Sequence, residues 1–61
     1  MGAKIKIYIQ EEGLKFKAIA DRVGIPLNIF SAMLNGKRKI TADEYVAICR
    51  ALNVPLEKFV A

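Results

Sequence analysis

Three side chains in the sequence carry an aliphatic hydroxyl or a thiol that could be made a nucleophile, Ser31, Thr41 and Cys49, and no histidine is present to act as their base. Without that usual proton carrier the three stand as isolated groups, and the chain is not expected to be an enzyme or to bind a small-molecule substrate. One cysteine cannot close an intrachain disulfide, and without histidine there is no ligand set for a structural zinc ion. No metal or other cofactor is expected. The chemistry that remains is attraction of charge. Ten Lys/Arg against six Asp/Glu give a net +4 and a sequence pI of about 9.5. Residues 1–40 hold eight basic and three acidic side chains, net +5, while residues 41–61 hold two and three, net −1. A basic front with a neutral rear suits a module that binds a polyanion. The same balance would also serve a soluble domain kept monodisperse by its charge.

Sixty-one residues provide one domain, spanning 1–61. A chain this short buries only about 60% of its unfolded surface, and the 54% hydrophobic fraction meets the need for a dense core. No apolar run approaches the roughly 18 residues of a membrane span, and the start has no signal-peptide core. A cytoplasmic protein without a membrane partner is expected. Glycines at 13, 24 and 36 each follow a stretch of helical periodicity, as residues that close a helix do.

The first stretch, Lys4 to Glu12, is ambiguous. Ile5, Ile7 and Ile9 alternate with polar or amphipathic residues as in a strand, yet no second strand exists to pair with it. A helix is therefore expected, with Ile5, Tyr8 and Ile9 inward and Ile7 exposed. Phe16, Ile19, Ala20 and Val23 form one stripe of a second helix. Leu27 to Asn35, starting behind Pro26, forms a third with Phe30, Met33 and Leu34 on one face. Thr41-Ala42-Asp43-Glu44 reads as a capping box opening a fourth helix with the stripe Ala42, Tyr45, Val46, Cys49 and Leu52, Ile48 beside it. Pro55 restarts a fifth carrying Leu56 and Phe59. The expected fold is all-α, five short helices on one core. Cys49, Tyr8, Tyr45 and Met33 are expected to be core or core-edge residues.

Ile19-Ala20-Asp21-Arg22-Val23-Gly24-Ile25-Pro26-Leu27-Asn28 runs a helix with a small residue, a glycine four positions later and an apolar plug into a second helix. Ala20 allows the helices to approach, Gly24 supplies the positive φ of the turn, and Ile25 fills the angle between them. The stretch 16–35 resembles the helix-turn-helix of the phage-repressor and Cro type, XRE-like domains with the lambda-repressor-like fold. Ala47-Ile48-Cys49-Arg50-Ala51-Leu52-Asn53-Val54 and Leu56-Glu57-Lys58-Phe59 extend the resemblance over nearly the whole chain.

The resemblance implies a sequence-specific regulator of transcription, read as a repressor, that binds double-stranded DNA with residues 27–35 as a recognition helix in the major groove. Position by position, it implies base reading by Leu27, Asn28 and Ala32, with Ser31 nearby. Asn28 can pair with an adenine edge, and Leu27 and Ala32 can touch thymine methyls. It implies phosphate contacts by Asn35 and by Lys37, Arg38 and Lys39, with Lys15 and Lys17 flanking. Relatives of this type bind two half-sites, which implies a homodimer. Its surface is expected on the C-terminal half, at Leu56, Phe59, Val60 and Ile48, with Ile7 as a second candidate.

The chain departs from the family at two places. Where relatives carry a phosphate-binding glutamine in helix two, it has Phe16, with Leu27 as its counterpart. Where many pair an arginine in helix one with a glutamate in the recognition helix, it has Ile9 and Leu34, an exchange often neutral or stabilising. The apolar Leu27 motivates an alternative, a protein-interaction module of antirepressor or antitoxin type that keeps the fold without reading bases.

Overall fold

The computed structural model describes residues 1–60; Ala61, the last residue of the expected 1–61 domain, lies outside the described residues. Four α-helices and a 3-10 helix follow one another: α1 Gly2–Glu11, α2 Phe16–Val23, α3 Leu27–Leu34, α4 Ala42–Leu52 and α5, the 3-10 turn Leu56–Phe59. Among the described residues there is no strand. The alternating first stretch is helical, since a lone strand would leave its backbone groups without partners whereas a helix satisfies them internally. Ile5 and Ile9 are buried one turn apart and Ile7 is 51% exposed, as the helical reading requires.

All four α-helices close the same way. In each, an N–H reaches back to the carbonyl five residues earlier and the preceding N–H to the carbonyl three residues before its own. At the end of α2 these are Ile25 N–H to Ala20 O at 3.0 Å and Gly24 N–H to Asp21 O at 3.3 Å. This Schellman closure needs a left-handed residue. Gly24 supplies it with φ 73°, a conformation in which a Cβ would crowd the following carbonyl. In α4 the same position is Asn53, φ 58°, the side chain that best tolerates it after glycine.

The core is assembled from every element: Ile5 and Ile9 of α1, Ile19 and Ala20 of α2, Phe30, Met33 and Leu34 of α3, Ile48, Cys49 and Leu52 of α4, and Phe59 of α5. Ile9 and Leu34 thus lie in one apolar core. Gly2 marks a close approach of α1 to the end of α3, where a Cβ would collide with the carbonyl oxygen of Met33 and stand 3.1 Å from that of Leu34.

Two residues expected on a dimer surface belong to this core instead. Ile48 is wholly buried and Phe59 nearly so. Ile48 lies one turn from both Tyr45 and Leu52 on the inner face of α4. Phe59 is enclosed by Tyr8 and Tyr45, whose rings meet it edge-on with centroids 5.7 and 6.4 Å away. The Tyr45 hydroxyl donates to the Leu56 carbonyl and accepts the Phe59 N–H, binding α5 to α4. Partial burial pushes that hydroxyl above its ordinary pKa. Leu56 and Val60 remain exposed.

Candidate nucleic-acid interface

The turn between α2 and α3 has the expected parts: a wholly buried Ala20, the left-handed Gly24 and a half-buried Ile25 packed against the core. Pro26 occupies the N-cap position of α3 with φ −56°. Its fixed ring conformation suits a helix start, but it offers no capping side chain, and α3 has no side-chain cap bond at its N-terminus.

Phe30, Met33 and Leu34 anchor one side of α3. At about 100° per residue, Leu27, Ser31, Asn35, Asn28 and Ala32 then fall within one outward arc of about 140°. Leu27, Asn28 and Asn35 are exposed, and Ser31 and Ala32 are half-buried at the margins of the core. The four residues nominated for base reading therefore share one face, together with Asn35, which stands just past the helix as its C-cap.

The polar groups on that face are connected. Lys6 Nζ donates to Asn35 Oδ1 at 2.8 Å, and Asn35 Nδ2 donates to Ser31 Oγ at 3.3 Å. Lys6 is the residue that sequence reasoning missed. It is separated from Asn35 by 29 positions and joins the site only because α1 packs across the end of α3. The available signal was its place in the basic front of the chain.

The basic side chains divide by what already holds them. Arg38 pairs with Glu44 at 3.1 Å, and Glu44 completes the capping box of α4, accepting the Thr41 N–H at 2.9 Å while Thr41 Oγ1 accepts the Glu44 N–H at 3.2 Å. The Thr41 backbone bond, aided by Arg38, holds the Glu44 carboxyl below its ordinary pKa. Lys17 pairs with Asp21 at 3.3 Å on a well-exposed surface, where screening leaves such a pair worth little. Lys15, Lys37 and Lys39 are exposed and have no side-chain partner among the described residues.

Among the described residues no group of three or more His, Cys, Asp or Glu side chains could hold a metal ion, and no helix is long and apolar enough to cross a membrane. Residues 5–59 match the profile of the family described as helix-turn-helix. No curated protein and no solved structure matches the chain.

Proposed function

The chain belongs to the helix-turn-helix family, the Cro/C1-type, XRE-like DNA-binding domains typical of transcription regulators, and from that premise we propose that it is a sequence-specific repressor of transcription, acting in the cytoplasm as a single domain over residues 1–61. In this reading α3 with its C-cap, residues 27–35, enters the major groove of double-stranded DNA. Asn28 pairs with a base edge, Leu27 and Ala32 touch methyl groups, and Ser31 supplies a hydroxyl. Lys15, Lys17, Asn35, Lys37, Arg38 and Lys39 contact phosphate. The observation that carries the reading is the outward face of α3: all the nominated base readers lie on it, and lysines at 37 and 39, without a side-chain partner among the described residues, follow it directly.

A single short helix reads few bases, so two copies would bind half-sites about 34 Å apart, one turn of DNA. Leu56 and Val60, apolar and exposed, are the residues left for that contact on the C-terminal half, with Ile7 as the second candidate. One observation favours the protein-interaction alternative: Leu27, 44% exposed, presents a large aliphatic side chain at the very start of the face.

A salt titration of binding to random-sequence duplex DNA distinguishes the readings. Phosphate contact releases counterions, so affinity for DNA falls steeply and linearly on logarithmic axes as salt rises. No binding even at low salt would favour the protein partner.

A further inference from the structure

We infer that Lys6 is a positioning residue that sets the hydrogen-bonding polarity of Ser31, and through it the base preference at one position of the site; this rests on the DNA-binding reading above. A lysine ammonium has hydrogens to give and no lone pair to offer. The Asn35 atom lying 2.8 Å from Lys6 Nζ is therefore the amide oxygen, and the orientation of the whole planar amide follows. Its NH2 faces Ser31 and donates to Oγ at 3.3 Å.

Ser31 has one hydrogen and is now an acceptor toward its own helix. Its hydroxyl makes no other bond among the described residues, including any to the carbonyl one turn back, so that hydrogen is turned away from Asn35 and is free to be donated. A serine ordinarily serves base donors and acceptors alike. Here the bond from Asn35 takes one of the two lone pairs of the hydroxyl and leaves its hydrogen uncommitted, so the chain from Lys6 weights Ser31 toward donating to the groove. It favours a base that shows an acceptor at that point, guanine or thymine, over cytosine, which shows an N4 donor.

The polarity can be inverted without removing the serine. In Asn35→Asp the side chain has only acceptors, stays paired with Lys6, and draws the Ser31 hydrogen inward. In Lys6→Glu the amide turns over, its NH2 toward the glutamate and its oxygen toward Ser31, with the same result. Both changes also weaken phosphate attraction, but equally on every sequence, so the readout is the ratio of affinities between duplexes differing at one base pair.

Competition among such duplexes should give the parent about a three- to tenfold preference for guanine or thymine over cytosine at one position, the worth of one hydrogen bond. Lys6→Arg should keep it, Asn35→Asp and Lys6→Glu should erase or reverse it, and Ser31→Ala should abolish it in every background. Thermal melts establish that each variant is folded. A preference lost in Ser31→Ala but unchanged in both Asn35→Asp and Lys6→Glu would overturn the role of Lys6 while leaving DNA binding intact. A parent that binds no duplex would overturn the functional reading, and this inference with it.

Discussion

The two helices on either side of the 35–41 loop begin in opposite ways. α4 opens with a complete capping box, reinforced by an ion pair from Arg38, so the Thr41 and Glu44 N–H groups and the Glu44 carboxylate are satisfied within the chain. α3 opens on a proline with no side-chain cap and no acidic residue in its first turn. Its polar side chains point outward rather than back onto its own start. A helix held by its own cap needs no partner there, whereas α3 relies for its position on the buried face formed by Phe30, Met33 and Leu34. The difference teaches where stability resides, in the α4 cap and the inner face of α3, and it leaves the outer face of α3 free for the recognition proposed above.

The largest expected effect breaks the inner face. Leu34→Glu places a charge in the core it shares with Ile9, with nothing to pair it, and should cost about 3 to 5 kcal/mol, a large part of the stability of so small a domain. A melt unchanged from the parent would show that Leu34 does not serve the core. On the outer face, Asn28→Ala should leave unfolding within about 0.5 kcal/mol of the parent and relax preference at one base position by about 1 to 3 kcal/mol. Selection from a random duplex pool checks this, and recovery of a long guanine-rich consensus would mean that other residues read the bases.

Thr41→Ala removes the α4 cap and should cost about 1 kcal/mol, read by urea unfolding, with the salt dependence of DNA binding unchanged. Lys37→Ala should do the reverse, sparing the melt and lowering the logarithmic salt slope by about one unit for one lost phosphate contact. Arg38→Ala would confound the two, since its guanidinium also holds Glu44. The smallest effect concerns pH. The Glu44 carboxyl is depressed in the folded chain, so it stabilises the fold above its unfolded value of 4.5, and that contribution is lost as pH falls through the lower folded value. The parent should therefore lose more melting temperature below that range than Glu44→Gln does.

Much of this architecture was legible along the chain because its signals are local. Helix ends follow from glycine spacing, the α4 start from four consecutive residues, and the faces of α2 and α3 from their apolar period. The family resemblance rested on the same local pattern. The features that were not legible join distant positions. Lys6 meets Asn35 only after α1 has packed on α3, and Arg22 reaches the Ala51 carbonyl across another 29 positions at 3.2 Å. Ile48 read as a surface residue because it stands beside the apolar stripe of α4 and not on it, and Phe59 because a short terminal segment offers little periodicity. The Tyr45 hydroxyl, with one bond to each end of α5, is what folds that segment inward. The last helix is correspondingly a tight 3-10 turn, one helical turn being all that Leu56–Phe59 provides.

The central claim is that the outer face of α3, and not the rear of the molecule, meets DNA. Titrating a duplex selected by the chain into isotopically labelled protein and following its NMR signals addresses this residue by residue. The account predicts that the largest shifts fall on Asn28, Ser31, Ala32, Asn35 and Lys37, with Ala47 and Arg50 of α4 unmoved. Shifts centred on α4 and α5, with the α3 signals unchanged, would contradict it.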